Sequence, residues 1–559
     1  MSDSKTAQDS GQPVQGQAVH LDPTLDAFGL GSSQAPDSST RADAAFNELG
    51  RTFFIGIGGA GMSVLAEMLH QEGVAVSGSD VQESAKTRHL ESMGIPVHIG
   101  QQAENLGQSH TVVWSSAIKP DNPEIVEAFR RHLHLVHRSD VLGLLMSRKR
   151  AVTVAGAHGK TTTSALLSHI LIHAAGSVEA LGSPSYAIGG SVQGIDGPMD
   201  GGHADEGSVF VAEADESDGS FLKYRPEIAI ITNAEADHLD HYGTAEAYRN
   251  AFIAHARKAK GHVVITGDDA GAQEIIDRLD GETARNAIVY TTEDDSSLER
   301  FPGSVVRIVS ESEHQGSGEE RFDIIVPPSL ADGRARKVSV ALKIPGLHNA
   351  RNATAAIIAA GLLGIDMDAA ATAAASFLGA VRRFQVRGQI DEVTVIDDYA
   401  HHPTEIEALL DAARRRYPSA TIHVIFQPHL FSRTQFFAAD FGQALCKADD
   451  VIVTGIFPAR ERQADYPDVG PWSIVDAVNA ATAGIAATAA GKASTRMSAV
   501  EDMNQAAQMI AMRAEPGDVV ITAGAGDINS VVPVILHVLE ARVGHMGAEH
   551  VDARIPLDR

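Results

Sequence analysis

The sequence predicts an α/β protein of three domains: a Rossmann-like N-terminal domain, a central P-loop domain with a parallel sheet, and a Rossmann-like C-terminal domain. Three observations carry this. Short apolar runs alternate with helical stretches from about residue 50 onward. Two of those runs lead directly into a glycine turn and a helix, in "RTFFIGIGGAGMSVLAEMLH" and "AVTVAGAHGKTTTSALL". Later runs, "VTVIDDYAHHPTEIEALL" and "TIHVIFQPHLFSRT", end in clusters of polar residues, as strands do where an open sheet forms its ligand crevice. At 559 residues the chain is too long for a single core.

Composition narrows the functional classes. A formal net charge of -27 argues against a nucleic-acid-binding surface, which would cluster Lys and Arg. No run of about 18 apolar residues is present, so membrane insertion is not expected. The single cysteine, Cys446, excludes an intrachain disulfide and reads as a buried helix residue; the chain is expected to be cytoplasmic. Residues 1–47, rich in Ser, Gln, Asp and Pro, read as a disordered tail.

The first folded segment, 48–149, opens on a strand and a turn containing Gly56, Gly58 and Gly61, followed by a second apolar strand that ends in Asp80. This spacing suits a diphosphate on backbone amides and a helix N-terminus, with Asp80 near a ribose; a nicotinamide dinucleotide and a UDP-sugar fit equally. "GIPVHIG", "TVVWSSAI" and "LHLVHRSDVLGLLM" continue the alternation.

The second segment, 150–379, begins with the phosphate loop Gly156-Ala157-His158-Gly159-Lys160-Thr161-Thr162. The usual form places a glycine five residues before the Gly-Lys pair; here that residue is Val154, so the loop is a shorter variant. Lys160 supplies a point charge for phosphate and Thr161 a hydroxyl for magnesium. "SVFVAEADESDGSF" and "PEIAIITNAEADHLDHYG" each run a strand into acids, where magnesium ligands belong, and Glu213 and His238 lead the candidates. For Glu213, Asp215, Glu216 and Asp218 the simplest expectation is a solvated acidic turn, and it is expected to hold for several of the four. Residues 262–343 read as peripheral β structure without chemistry. In "GLHNARNA", His348, Asn349 and Asn352 gather in the first turns of a helix, within reach of a base or a phosphate.

The third segment, 380–559, sets Asp397, Asp398, Tyr399, His401 and His402 after one strand and Gln427, His429, Ser432, Arg433 and Thr434 after the next. Adjacent histidines seldom aim at one ion, and no further ligand has fitting spacing, so His401 and His402 read as polar pocket residues. The alanine-rich "DAVNAATAGIAATAAGKAS" reads as a helix or a pair of helices.

In this order, "GIGGAGMS", "AGAHGKTTT", "VAEADESDGSF", "TNAEADHLDHYG", "GLHNARNA", "VRRFQVRG", "DDYAHHPTEIEALL" and "FQPHLFSRT" resemble the muramyl ligases, the ATP-dependent family that builds the stem peptide of peptidoglycan. The resemblance spans about residues 50–540 and leaves out the tail and an acidic insert near 194–207. It implies a first domain that holds a UDP-sugar through Gly56, Gly58, Gly59, Ala60, Gly61, Met62, Ser63, Asp80 and Ser116. It implies ATP held by residues 156–162, that is Gly156, Ala157, His158, Gly159, Lys160, Thr161 and Thr162, together with His348, Asn349, Asn352, Arg383 and Asp398. Magnesium ligands carried over are Thr161, Glu213 and His238, and L-alanine is assigned to Tyr399, His401 and Arg433. Lys160, His238 and Arg433 carry the chemistry.

Within the family the motifs resemble the branch that joins L-alanine to the lactyl carboxylate of UDP-N-acetylmuramate through an acyl phosphate, releasing ADP and phosphate. Sibling ligases place a carbamylated lysine where Phe252 stands here, and the L-alanine-adding branch lacks it too. The rival readings are a ligase that recycles an intact tripeptide onto the same sugar, a nicotinamide oxidoreductase, which leaves the phosphate loop unexplained, and a silent ATP-binding scaffold, which would be expected to have lost Lys160, Glu213 or His238. The expected assembly is a monomer or a homodimer.

Overall fold

The computed structural model describes residues 21–30, 38–174, 178, 181–190, 192–194, 197–199, 201–294, 298, 301–310, 319–331, 333–459, 461–483 and 495–552. The three α/β domains fall into two compact units. The first comprises Met1–Lys149 with the short pieces Gly202–Ala204 and Ser217–Arg225, and the second the remainder.

The first unit carries a five-stranded parallel sheet in the order Val97–Ile99, Val76–Asp80, Thr52–Ile55, Thr111–Trp114, His134–His137. Strand order reverses beside Thr52–Ile55, so the ends of that strand and of Thr111–Trp114 frame the crevice of an open sheet. Alternate residues of these two strands, Phe53, Ile55, Val112 and Trp114, feed one core with Ile125 and Ala128. The helix Pro123–Arg130 starts cleanly because Asn122 accepts from the amides of Glu124 and Ile125 and proline takes the first helical position.

Part of the segment expected to be a disordered tail is ordered. Ser38–Glu48 is a helix, and Ala27 donates its amide to Asp140. Ala42, Ala45, Phe46 and Leu49 recur at helical spacing within that polar segment, and Ala42, Ala45 and Leu49 are buried. The rest of the expected tail, 1–20 and 31–37, lies outside the described residues.

In the second unit the central sheet orders Ser185–Ala187, Val209–Glu213, Arg150–Ala155, Ile228–Ile231, His262–Thr266, Ala287–Thr291 and Ser304–Ser310, all parallel, then Glu320–Val326 and Arg336–Leu342 antiparallel. Residues 262–343 are therefore not all peripheral: Ala287–Thr291 is buried along its length, and Val263–Thr266 likewise. Short polar loops between these strands disguise an interior. The helices Lys160–Ala174 and Leu347–Leu362 pack together on the sheet, with Ala353, Ala356 and Ala360 small enough to allow close approach.

The C-terminal sheet orders Gln385–Ile390, Val393–Asp398, Val519–Ala523, Ile422–Phe426, Asp450–Val453 and Arg496–Ala499, parallel apart from the first pair. Neighbouring residues of each strand serve opposite faces. Ile396, Val424, Val451 and Ile521 build one core, and Val395, Ile425, Ile452 and Val520 the other. The alanine-rich segment forms part of the helix Trp472–Ala483, and 484–494 lie outside the described residues. Cys446 is not buried as expected; it caps the end of Phe431–Leu445 and is exposed, because the helix stops there and turns out to solvent. Among the described residues no helix is long and apolar enough to cross a membrane.

The buried ring of His423 bridges Asp450 at 3.2 Å and Asp518 at 3.1 Å. Burial works against a charged ring, but the two carboxylates outweigh it and raise the His423 pKa. Stabilisation from this bridge is complete below the unfolded pKa of about 6.5 and fades as pH rises through the folded value. The gap in thermal midpoint between the wild type and His423→Gln is expected to be widest near about pH 6 and to narrow on the alkaline side; a gap that does not vary with pH would mean that the ring is neutral.

Candidate active site

The phosphate loop sits between the central strand Arg150–Ala155 and the helix Lys160–Ala174. Gly156 and Gly159 adopt φ of +141° and +83°, which side chains disfavour, and a Cβ on Gly159 would lie 2.7 Å from Asn352 Oδ1. The turn is pinned from the next strand: the Asn233 side chain accepts from the His158 amide and donates to the His158 carbonyl, while Thr232 Oγ1 donates to that same carbonyl.

Lys160 folds back over its own loop, donating to the Gly156 carbonyl at 2.5 Å and to Glu216 Oε1 at 2.9 Å. Burial penalises the ammonium, yet Glu216, Asp215 and Glu213 together hold its pKa above the ordinary value. The turn after Val209–Glu213 is thus not a solvated acidic cluster. Glu216 is fully buried against Lys160, and Asp218 is buried as well.

Register places Glu213 opposite Val154, at the foot of the loop. Thr161 Oγ1 lies 3.1 Å from Glu213 Oε2, which also accepts from the Gly189 amide at 2.8 Å. A hydroxyl and a carboxylate side by side at a phosphate loop form the hard-oxygen donor set that suits magnesium. His238, held at φ +53°, brings Nε2 to 3.8 Å from Glu216 and 3.7 Å from Asp237. Asp237 also meets Arg433 at 3.4 Å. Although burial opposes its charge, His238 and Arg433 hold Asp237 down at about 2.

Beside the loop opens a pocket of about 240 Å³ that unites the expected groups His158, Gly159, Thr162, His348, Asn349, Asn352, Arg383 and Asp398. Burial, aided by Arg351 and Arg383, lowers His348 to about 4 and keeps its ring neutral. Burial likewise pushes Asp398 up to about 6, despite Arg383 and the amides of Phe384 and Ala400. The pocket also contains residues that the sequence reading passed over. Asp269 receives the Ala234 amide and caps Ala270–Arg278, and Asp268 pairs with Arg351. Both follow a buried strand in "HVVITGDD", the same cue that marked Glu213, but in a region read as peripheral. Glu405 was missed too. It lies 3.3 Å from His158, 3.4 Å from Arg383 and 3.1 Å from His401.

Tyr399 and His401 are neighbours, with ring centroids 5.4 Å apart, and Arg382 and Arg383 lie over the Tyr399 ring. Among the described residues no hydrogen bond or ion pair joins Arg433 to either; its partner is Asp237. Phe252 is fully buried beneath the site, packed on Tyr248 at 5.0 Å.

In the first unit the turn after Thr52–Ile55 is held by Asp80, whose Oδ2 accepts from the Gly58 amide at 2.9 Å. Gly59 begins the helix Ala60–Gln71 with no side-chain cap, leaving its first amides for an anion. Of the expected sugar-binding residues, Met62 and Ser63 are buried, and Ser63 Oγ donates to the Ala60 carbonyl. Ser116 donates to Asp218 at 2.6 Å and lies 3.1 Å from His137 Nε2.

Three family models match in sequence: "Mur ligase family, catalytic domain" over residues 52–150, "Mur ligase middle domain" over 154–360, and "Mur ligase, glutamate ligase domain" over 382–526. The UDP-N-acetylmuramate--L-alanine ligase of Bifidobacterium adolescentis is 59% identical over 94% of this chain and 97% of its own. The crystal structure of UDP-N-acetylmuramate-alanine ligase from Thermotoga maritima superposes with a TM-score of 0.66 at 28% identity, covering 89% of this chain and 99% of that one. A murein peptide ligase from Psychrobacter arcticus shares the fold, with a TM-score of 0.60 at 24% identity, over 88% of this chain and 98% of its own.

Gly159→Ala is expected to weaken nucleotide binding by about tenfold or more, since a left-handed position with no room for a methyl group stores strain of roughly 1–3 kcal/mol. Isothermal titration with ATP checks this, and unchanged affinity would take the turn out of the binding site.

Proposed function

The chain belongs to the Mur ligase family, and we propose that its reaction is the ATP-dependent joining of L-alanine to UDP-N-acetylmuramate, the first stem-peptide step of peptidoglycan synthesis. The family is ATP-dependent, and its chemistry explains the residue types gathered here. One observation carries the reading of the site: a phosphate loop whose lysine pairs with a buried glutamate while its threonine faces a second glutamate, Glu213.

In the first step an oxygen of the lactyl carboxylate attacks the γ-phosphorus of ATP, the bond to the β-phosphate oxygen breaks, and ADP leaves. The product is an acyl phosphate. Two anions must approach each other, so the barrier is largely electrostatic. Lys160 turns from the loop carbonyls to the β- and γ-phosphates, and the N-terminus of the helix Lys160–Ala174 opens on the same groups. Thr161 and Glu213 fit a magnesium ion, and His238 with Glu216 a second; such ions would neutralise phosphate charge. His348, Asn349, Asn352, Arg383 and Asp398 line the pocket in which the nucleotide would sit.

In the second step the amine of L-alanine attacks the acyl carbon, a tetrahedral intermediate forms, and phosphate departs as the amide is made and the amine loses its proton. Arg433 suits the carboxylate of the amino acid, because a guanidinium grips a carboxylate through two parallel hydrogen bonds. Tyr399 and His401 are assigned to the same ligand by their motif. Gly56, Gly58, Gly59 and Gly61 present the first unit's amides to the UDP diphosphate.

Phosphate release from ATP is expected only when UDP-N-acetylmuramate, magnesium and L-alanine are all present, with one amide formed per ATP; release that needs a tripeptide instead of L-alanine would overturn the reading. Lys160→Ala should cut acyl phosphate formation by at least about a hundredfold while UDP-sugar affinity stays within a factor of about two, because the lysine acts on transition-state charge. Loss of both would indicate misfolding. Arg433→Ala should raise the KM for L-alanine by roughly 10- to 100-fold, the value of one charged hydrogen-bonded pair, and an unchanged KM would remove Arg433 from the amino-acid site.

A further inference from the structure

From sequence alone His402 reads as a polar pocket residue, because nothing nearby in sequence offers a further ligand. The fold supplies the missing partners from far along the chain. We propose that His158, Glu235 and His402 form a binding site for a zinc-class divalent cation at the edge of the nucleotide pocket, distinct from the magnesium position at Thr161 and Glu213.

The geometry is that of a built site. One ligand atom from each of the three side chains lies within 4.8 Å of the others. His158 Nε2 is 3.3 Å from Glu235 Oε2, and His402 Nδ1 is 3.9 Å from Glu235 Oε1. Tetrahedral zinc with bonds of about 2.0–2.1 Å spaces its ligand atoms about 3.3 Å apart, so a small contraction closes the set around an ion. Three protein ligands leave a fourth position for water. The His402 side chain is only 4% exposed, and its Nδ1 has no hydrogen-bond partner, an orphaned lone pair aimed at the other two groups.

Each ligand is also held from behind. His158 Nδ1 lies 3.3 Å from Glu405 Oε1, so a buried carboxylate stands behind the ring while Nε2 faces Glu235 Oε2 at 3.3 Å. Glu235 Oε1 accepts from Thr404 Oγ1 at 2.7 Å, and the His402 amide donates to Glu405 Oε2 at 3.3 Å. The His402 ring is wedged between His158 and Phe437, each with its centroid 4.9 Å away. Burial, with help from His158, lowers His402 to about 4, so its ring is neutral and needs to shed no proton. His158, whose two carboxylates hold it at about 9 against the penalty of burial, releases its proton to solvent when the ion enters. Two imidazoles and one carboxylate prefer zinc, cobalt or nickel to magnesium, so the site fills in a magnesium buffer.

The site does not depend on the ligase reading and is tested without turnover. The full-length protein, free of nucleotide and in excess magnesium, is titrated with Co²⁺ as a spectroscopic stand-in for zinc. One equivalent is expected to give the intense visible absorption of four-coordinate cobalt, displaced by Zn²⁺. The signal should vanish in His402→Ala and in the nearly isosteric Glu235→Gln, and persist in Glu213→Gln. The weak spectrum of six-coordinate cobalt, a signal retained in Glu235→Gln, or one lost only in Glu213→Gln would overturn the proposal. Far-ultraviolet circular dichroism of each variant guards against loss of fold, and Glu235→Gln decides should His402→Ala fail to fold.

Discussion

The ammonium of Lys160 has to stay charged in a place that water barely reaches, and the second unit is organised around that requirement. An isolated buried ion costs several kcal/mol, and only close partners offset it. Glu216, fully buried, and the Gly156 carbonyl provide them. The strand order follows from the same need. Arg150–Ala155 runs between Val209–Glu213 and Ile228–Ile231, so that Glu213 and Glu216 leave one neighbour and Asn233 and Glu235 leave the other, all around a single turn. A parallel sheet delivers these groups to one edge because every strand ends there.

What could be read in advance was whatever is written locally. Strand, glycine turn and helix occupy a single stretch at Arg150–Ala174, and the family resemblance pairs Thr161 with Glu213, which are found 3.1 Å apart. The ordered helix Ser38–Glu48 was concealed by composition, since four apolar residues at helical spacing stand among polar neighbours. Other features escaped because they exist only in three dimensions. Asp268 and Asp269 belong to the pocket only once His262–Thr266 proves to be an interior strand. Met62 and Ser63 carry a motif's letters, yet the helix turns both side chains inward.

Glu405 shows how a residue without a motif of its own can govern several that have one. It is the third residue of the helix Pro403–Arg416, where a carboxylate is welcome to the helix dipole. From there it accepts the amides of His401 and His402 and stands beside the His158 ring and the Arg383 guanidinium. Four groups from three segments of the chain thereby share one anchor. Its pKa is held well below the carboxylate range, because His401 and His158 outweigh the penalty of burial. The anchor therefore stays an anion to lower pH than an ordinary glutamate would.

Under the proposed assignment of Arg433 to the amino acid, its contact with Asp237 sets the terms on which that ligand enters. The guanidinium already faces a carboxylate, so an incoming carboxylate competes with one that is built in. Binding at this point is an exchange of one ion pair for another, with little net change in the number of charges laid bare. Such an exchange leaves the counterion atmosphere almost undisturbed and gives a weak dependence on ionic strength, in contrast to an empty cationic pocket. It also makes discrimination a matter of fit around the rest of the ligand, since charge alone earns no advantage over the resident Asp237.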